Sequence, residues 1–347
     1  MASHRRPKQP GRARVTVLTA TAAAAVALTS QTAQADPKPS KSEVKAKVDK
    51  LYEEAERATE KFNGAKEQQG KLQKQVDAIQ DRVARGQDDL NELRDALGSV
   101  ASAQYRSGGM DPALQLLLSS SPDDYLDQAS ALDQLGAQQA EAVSDIQSKQ
   151  RALAQQRKEA QEKLGDLADT RKELGSKKRE VQAKLGEAQK LLNSLSAQER
   201  ADLKQAEQKR ADRAEARATL TPPGKKESKP VSGRVSSAYA AAQSKIGSPY
   251  VYGASGPSSF DCSGFTSWAF AQADVAIPRT SQAQATIGTR ITSQSDLQVG
   301  DLVFFYSDLH HVGFYAGNGQ ILHSPRTGAV VRYESINNMP YQFGVRV

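Results

Sequence analysis

The chain has 347 residues, a formal net charge of +7 and one cysteine, Cys262. A single cysteine cannot form an internal disulfide, so the fold depends on packing and the thiol is left as a candidate reactive group. The net excess of positive charge comes from residues before 36 and from residues 220–234, while residues 235–347 carry equal numbers of both signs. The remainder is close to neutral, and the composition gives nucleic-acid binding no support.

Residues 1–35 have the organisation of a secretory signal peptide. Basic residues are followed by an apolar stretch from Val15 to Leu28 and by Ala33-Gln34-Ala35, an A-x-A cleavage site. The apolar stretch is shorter than the roughly 20 residues that a membrane-spanning helix needs. We therefore expect cleavage after Ala35 and a secreted, cell-wall-associated protein. An uncleaved anchor is the alternative, and the adjacent arginines leave the export route open.

Residues 36–219 are predicted to form a coiled-coil helical domain with a break near 106–122. From Leu51 to Val100 the seam advances in alternating steps of four and three residues, which is typical of a coiled coil. A second seam, interrupted by polar residues, runs from Leu132 to Leu195. The two helices are expected to fold into an antiparallel hairpin with a solvated outer surface, serving as a spacer or as a regulatory or docking arm. A candidate partner contact or hairpin cap near the tip comprises Leu114, Leu116, Leu117 and Leu118.

Residues 220–234 are predicted to be a linker, because they are rich in proline and lysine and have no periodicity. The linker precedes residues 235–347, which form the candidate globular domain. Of the 19 aromatic residues, 15 lie in this last segment. The aromatic core of the protein is therefore expected there.

Cys262 lies where a turn is predicted to enter a helix. Asp261 is a suitable N-cap, and Phe265 and Trp268 fall on a buried stripe of that helix. The amides and dipole at a helix N-terminus favour the thiolate form of a cysteine in the first turn. The sequence thus makes Cys262 a candidate nucleophile, although a cysteine among apolar residues is more often an inert core residue.

Three of the four histidines, His310, His311 and His323, lie within fourteen positions of each other. A thiolate, an imidazole base and a third group that orients the base form the general scheme of cysteine hydrolases. His311 is the candidate base and His323 the candidate third group, whereas strand alternation turns His310 away. Zinc binding by Cys262, His311 and His323 is an alternative on ligand type, but the spacing does not match common zinc motifs.

The predicted hairpin around Gly317–Gly319 decides whether the two candidate histidines meet. If those three residues form the loop, Ala316 opposes Gln320 and His323 opposes Gly313. His311 and His323 then lie on one face of the sheet, which we expect to look toward the helix that carries Cys262. A two-residue loop would place them on opposite faces.

Five motifs in this order resemble the NlpC family of papain-like cell-wall cysteine peptidases. They are Asp-Cys-Ser-Gly-Phe at 261–265, Ile-Pro-Arg-Thr-Ser at 277–281, Val-Gly-Asp-Leu-Val-Phe-Phe at 299–305, His-Val-Gly-Phe-Tyr-Ala-Gly-Asn-Gly at 311–319 and Ile-Leu-His-Ser-Pro at 321–325. The resemblance covers the C-terminal segment from Ala238 onward. It implies an α+β fold, with a papain-like domain in which the cysteine-bearing helix packs on an antiparallel sheet. The coiled-coil hairpin precedes this domain.

The resemblance also implies roles for individual residues. Cys262 would be the nucleophile, His311 the base and His323 the orienting group. The hydroxyl of Tyr250 would join the backbone amide of Cys262 in the oxyanion site, unless this tyrosine is only a packed aromatic residue. Asp261 and Ser263 would line the substrate cleft, although Asp261 is equally well explained as a helix cap. No cofactor and no metal are expected.

By the same resemblance, the reaction is hydrolysis of peptidoglycan stem peptides at the bond between the γ-carboxyl of D-glutamate and the diamino acid. Similar enzymes with a coiled coil are held inactive until a membrane ABC-transporter-like complex engages the coil, so we expect such a partner. The hypothesis for regulation is that the coil covers the Cys262 cleft. The alternatives are an amidase or acyltransferase with the same three residues, or a non-catalytic scaffold that binds wall peptides.

Overall fold

A computed structural model of the protein describes residues 40–106, 122–219 and 233–347. Residues 40–347 form one compact unit. The predicted signal peptide, most of the predicted linker and the four leucines near the predicted hairpin tip lie outside the described residues. Across the described ranges, no helix is long and apolar enough to cross a membrane.

Two long helices, α1 (Lys41–Arg106) and α2 (Pro122–Ser194), form the hairpin. The ammonium of Lys184 lies 2.6 Å from the Glu54 carboxylate, and that of Lys149 lies 3.1 Å from Asp89. Residue numbers therefore rise along α1 as they fall along α2, so the helices are antiparallel. The predicted helical hairpin is confirmed.

The predicted seam of α1 is buried or partly buried along its length, and Val83, Leu93 and Leu97 are only partly buried. The most buried members of its distal part are Leu72, Val76, Ile79 and Leu90. The α2 seam is less continuous, because Val143 and Leu164 remain 41% and 44% exposed while Leu153 and Leu167 are buried. The coil is therefore held by short apolar clusters separated by polar stretches.

A third helix, α3 (Ala197–Thr219), was not predicted as a separate element. Ser196 and Glu199 form a capping box: the Glu199 amide donates to Ser196 Oγ (3.2 Å), and the Ser196 amide donates to the Glu199 carboxylate (2.8 Å). In a continuous helix, the amides of Ser196 and Glu199 would donate to carbonyl groups of the preceding turn. The capping box pairs them with side chains instead. The second arm consequently ends at Ser194, and α3 turns back to pack on the C-terminal domain.

The C-terminal domain contains three helices and one antiparallel sheet. The helices are α4 (Gly233–Gln243), α5 (Cys262–Ala271) and α6 (Ser281–Gln284). The strands are β1 (Thr289–Ile291), β2 (Leu302–Phe305), β3 (His311–Gly317), β4 (Gln320–His323), β5 (Arg332–Ser335) and β6 (Tyr341–Arg346). Their order in the sheet is β1-β6-β2-β3-β4-β5. The predicted α+β fold, with the cysteine helix on an antiparallel sheet, is confirmed.

The sheet buries both of its faces. On one face, Phe265 and Phe270 of α5 pack against Phe314 of β3, with ring centroids 5.9 and 5.6 Å apart. Because side chains alternate along a strand, the neighbours of Phe314 point to the other face. That second face has its own apolar cluster, which includes Val303 and Phe305.

The connection between β3 and β4 is a two-residue turn with a bulge. Asn318 and Gly319 have φ values of 53° and 68°, as a tight hairpin turn requires. Gly317 pairs with Gln320, so the predicted pairing of Ala316 with Gln320 is wrong. Ala316 is the extra residue of the bulge and has no partner in the β4 register.

The bulge restores the register on which the two histidines depend. Past Ala316, Tyr315 pairs with Ile321 and Phe314 with Leu322, which sets His323 opposite Gly313. A Cβ on Gly313 would lie 2.8 Å from the Cβ of His323, so glycine leaves room for the imidazole. His323 therefore shares a face with His311, as predicted from a different loop.

Candidate active site

Cys262 is the first residue of α5 and is completely buried. The N-cap is Asp261, whose carboxylate accepts a 2.7 Å hydrogen bond from the amide of Gly264. A Cβ on Gly264 would lie 2.1 Å from the carbonyl oxygen of Ala254, so this turn of the chain requires glycine. Local sequence thus fixes the thiol at the N-terminal end of the helix.

The two predicted histidines form a directed chain with a carboxylate. Nε2 of His311 lies 2.7 Å from Nδ1 of His323, and Nε2 of His323 lies 3.3 Å from the Glu334 carboxylate. Burial lowers the pKa of His323 to about 4, so this ring is neutral near pH 7. His323 can then accept from His311 and donate to Glu334, which fixes the orientation of His311. Sequence analysis missed Glu334.

Cys262 and His311 meet at the ends of their elements. The thiol sulfur and a ring nitrogen of His311 lie within 4.8 Å of each other. The prediction that the histidine face looks toward α5 is wrong for most of that helix, since its aromatic residues cover the opposite face. The two residues meet because Cys262 begins α5 and His311 begins β3.

The other predicted site residues also lie here. Asp261 and Ser263 are fully buried, and Arg279 binds both, at 2.6 Å from the Asp261 carboxylate and 2.8 Å from Ser263 Oγ. Tyr250 is 5% exposed, and burial raises the pKa of its hydroxyl well above the usual value. Arg279 belongs to the Ile-Pro-Arg-Thr-Ser motif, which is the signal from which it could have been found.

His310 occupies a separate environment. Its Nδ1 contacts the Asp308 carboxylate, and its ring stacks on Tyr306 with centroids 4.2 Å apart. Within the described part of the chain, its Nε2 is buried without a hydrogen-bond partner. The carbonyl oxygen of His310, rather than its ring, approaches the thiol of Cys262, at 3.7 Å.

Helix α1 inserts a glutamate into the site. The carboxylate of Glu60 accepts from Ser263 Oγ at 2.7 Å and from the Ser281 amide and hydroxyl at 2.7 and 2.9 Å. The thiol of Cys262 lies 3.7 Å from the same carboxylate. Glu60 therefore fills an anion-binding pocket directly beside the candidate nucleophile.

Two further α1 residues bind the same region. Glu56 contacts Nδ1 of His311, the ring nitrogen left free by the contact with His323. Asn63 donates to the Asp261 carboxylate at 3.0 Å. With both nitrogens engaged, His311 has none available to accept a proton from Cys262.

The carboxylates of α1 reverse the expected ionisation of the nucleophile. Burial, followed by the nearby charges of Glu60, Glu56 and Asp261, raises the pKa of Cys262 well above its usual value. The helix N-terminus was expected to favour a thiolate, but here desolvation and three negative neighbours outweigh it. Burial and the charge of Asp261 likewise raise the pKa of Glu60 to about 7. The docked arrangement therefore holds a thiol.

The polar face of α1 was expected to be solvated, and for this segment that expectation is wrong. Glu56, Glu60 and Asn63 are at most 7% exposed. Their spacing of four and three residues places them on one side of the helix, beside the apolar seam. Such a stripe resembles any exposed polar stripe of a coiled coil, so the pattern alone gave no signal.

The fold and the grouping define an α+β domain with a buried Cys-His-His cluster at the end of a helix. Residues 247–345 match the NlpC/P60 family. This part of the chain is an NlpC/P60 domain, as the motifs predicted.

The relatives of the domain are named as endopeptidases. A probable endopeptidase of Corynebacterium glutamicum is 48% identical over 106 residues, which are 30% of this chain and 50% of that protein. A probable endopeptidase p60 of Listeria monocytogenes is 46% identical over 100 residues, 28% of this chain and 20% of that protein. The chain spans half the length or less of these curated relatives.

Among solved structures, the NlpC/p60 domain of the peptidoglycan hydrolase SagA is similar to this chain. The two are 35% identical, with a TM-score of 0.31, and the match covers 33% of this chain and 98% of that domain.

Proposed function

We propose that the protein is a secreted peptidoglycan hydrolase that cleaves stem peptides. Cys262 is the nucleophile, His311 the base and His323 the group that orients the base. The observation that carries this proposal is the 2.7 Å contact between the two imidazoles, beside the thiol at the start of α5. The names of the domain's relatives support the reaction class.

The chemistry follows once Glu56 leaves Nδ1 of His311. The imidazole then takes the thiol proton, and the thiolate attacks the carbonyl carbon of the scissile amide. The Cys262 amide and the Tyr250 hydroxyl stabilise the oxyanion. His311 returns the proton to the leaving amine, and water, activated by the same imidazole, hydrolyses the thioester. His323 holds His311 in position throughout.

The pocket occupied by Glu60 supports cleavage after D-glutamate. A D-glutamate linked through its γ-carboxyl keeps a free α-carboxylate near the scissile carbonyl. Ser263, Ser281 and the neighbouring Arg279 offer the hydrogen bonds and positive charge that such a carboxylate needs. Glu60 thus stands where the substrate carboxylate would bind. The proposed bond is the one between γ-D-glutamate and the diamino acid.

The docked α1 helix makes this arrangement an inactive one. The thiol is completely buried, and α1 carboxylates bind both the base and the substrate pocket. The helix must leave for substrate to enter, and we propose that a membrane ABC-transporter-like complex moves it by engaging the coil. Export would place the protein at the cell wall. A secreted protein whose N-terminal sequence does not begin at Asp36 would contradict the proposed signal cleavage.

The test uses the chain carrying Glu60→Lys, which releases α1, with and without Cys262→Ala. Each protein is incubated with purified peptidoglycan, and the soluble fragments are identified by mass spectrometry. Fragments ending in D-glutamate, absent with Cys262→Ala, are expected. Fragments cut before L-alanine would establish an amidase instead. If stem peptides bind but no bond is cut, the domain is a recognition module.

A further inference from the structure

We propose that Glu56, Cys262 and His311 form a zinc site that exists only while α1 is docked. One potential ligand atom from each residue lies within 4.8 Å of the other two, and all three side chains are buried. Thiolate, imidazole and carboxylate are the ligand types that Zn²⁺ binds in proteins. The ion would join the regulatory helix to the catalytic pair and hold the protein inactive.

A tetrahedral ion fits between the three ligands after a small movement of one side chain. Ligands bound at 2.0–2.3 Å lie roughly 3.3–3.8 Å apart around such an ion. Glu56 already contacts Nδ1 of His311, so its carboxylate must withdraw slightly to admit the ion, and its flexible side chain permits this. The fourth position is left to water.

The charges balance without any redox step. Zinc binds the thiolate, a neutral imidazole nitrogen and the carboxylate. Binding forms bonds from Zn²⁺ to sulfur, nitrogen and oxygen, and the thiol proton, with any proton on the ligating nitrogen or carboxylate, passes to solvent. A thiolate and a carboxylate around a dication make a neutral buried site.

A second layer of contacts already orients the imidazole for a metal. Nε2 of His311 faces Nδ1 of His323, whose own Nε2 faces the Glu334 carboxylate. A ligating histidine commonly donates its other ring hydrogen to such a chain, which fixes the ring and makes the ligating nitrogen more basic. The metal would therefore bind Nδ1, the nitrogen that Glu56 contacts.

An approach path reaches the site from outside. A cavity of about 760 Å³ between α1, α3 and the sheet is lined by Glu56, His323 and Glu334. Its wall carries both carboxylates and basic side chains, so the cavity offers a route by its space and not by its charge. The ion can enter along Glu56 without complete release of the helix.

Zinc binding and release of α1 are thermodynamically coupled, so each should disfavour the other. Glu56 belongs to α1, while the other two ligands belong to the C-terminal domain, so releasing the helix removes one ligand. Zinc that binds only the docked state stabilises it by mass action, increasingly so as the free metal rises above the dissociation constant. Zinc should therefore resist any process that lifts the helix.

The test measures metal binding by the metal-stripped full-length chain. Zinc is titrated in competition with a chromophoric chelator, and cobalt(II) serves as a probe for thiolate ligation through its charge-transfer absorption. One zinc ion per chain and a thiolate band with cobalt are expected. Glu56→Gln should weaken zinc binding at least tenfold, and the near-isosteric Cys262→Ser should abolish the cobalt band. The matched control is Glu53→Gln on the same helix, which should bind like wild type.

Zinc bound equally by wild type, Glu56→Gln and Cys262→Ser would overturn the site, as would cobalt binding without a thiolate band. These readouts need no enzymatic activity, so the site and the proposed hydrolase function fail separately. A protein that binds zinc as described but cuts no stem peptide disproves only the function. A protein that cuts stem peptides but binds zinc without Glu56 disproves only the site.

Discussion

The proximal and distal parts of α1 share one heptad pattern and have different environments. In the proximal part, Tyr52 clusters with Ala188 of α2, and a polar stripe, Glu56, Glu60 and Asn63, packs on the catalytic domain. Beyond residue 72, the described residues of α1 that are buried all belong to the seam, while polar residues such as Asp81 are exposed. The heptad pattern therefore determines only the packing of α1 against α2. The residues outside the seam determine which other surface the helix contacts.

The docked segment is also the costlier of the two to bury. Carboxylates lose hydration on burial, and hydrogen bonds and opposite charge only partly offset that loss. Glu60 has five donors around it but lies near a second buried carboxylate, Asp261. A surface of this kind is specific without being strongly held, which suits the proposed release of the helix.

Charge reversal should give the largest difference in hydrolysis rate between a substitution in the proximal part of α1 and one in the distal part. Glu60→Lys places an unpaired cation beside Arg279 in a buried pocket, at a cost of about 3 kcal/mol or more. Release of α1 should raise the rate of peptidoglycan solubilisation by on the order of 100-fold. Asp81→Lys, at an exposed distal position, is the control and should leave the rate unchanged. Equal rates for both variants would show that α1 does not restrain the enzyme.

The docking of α1 should weaken as pH rises. The pKa of Glu60 is about 7 when docked, against an ordinary value of 4.5 for an exposed glutamate, so docking takes up a proton. Its contribution is complete below pH 4.5 and disappears as pH rises through 7, a change of about 3 kcal/mol. The charged groups facing Glu60 are Asp261, Arg279 and, when ionised, Cys262.

Protease accessibility of α1 in chelator-treated protein, followed from pH 5 to pH 8, measures this. Digestion should accelerate toward pH 8 in wild type and change little with pH in Glu60→Gln, which cannot ionise at this position. The same acceleration in both proteins would remove Glu60 as the titrating group.

The distal seam should respond to lost packing rather than to charge. Ile79 is 2% exposed, and Ile79→Ala should destabilise the hairpin by about 2–5 kcal/mol through the cavity it leaves. Val143→Ala, at a residue 41% exposed, should change stability by less than about 0.5 kcal/mol. Hydrogen exchange of the hairpin amides reports both. A loss confined to the catalytic domain would contradict the assignment of Ile79 to the seam.

The smallest effect is expected at the rim of the docked surface. Arg57 lies 2.6 Å from Asp308, with side chains 40% and 41% exposed, so water screens the pair. Arg57→Ala should weaken docking by less than about 1 kcal/mol and raise hydrolysis by less than about fivefold. An increase as large as that of Glu60→Lys would mean that the rim, rather than the buried carboxylates, holds the helix.

Features with a local cause were predictable from sequence. The seam of α1, the capped helix at Cys262 and the pairing of His311 with His323 follow from residue periods, a cap and strand alternation. The β3–β4 loop was predicted with the wrong pairing, yet the bulge at Ala316 compensated for the shorter turn. The sequence Ser-Ala-Gln-Glu at 196–199 has the pattern of a capping box. It could have predicted the start of α3.

Features that depend on a distant surface were not predictable. Whether a glutamate on a coiled coil faces water or an enzyme cleft is decided by residues 200 positions away, as the contact between Glu60 and Cys262 shows. The same contact inverted the expected ionisation of the thiol. No pattern within α1 carries that information. A polar side chain can lie in water or in a hydrogen-bonded interface, and its residue type does not distinguish the two.

The length of α1 turns its docking contact into a mechanical element. At 1.5 Å per residue, Glu60 stands about 69 Å from the distal end at Arg106 and about 28 Å from the proximal end at Lys41. A sideways force on the distal end therefore acts with a leverage of more than two on the contacts that cover Cys262. Under the proposed regulation, a force applied far from the cleft would act on these contacts with a mechanical advantage.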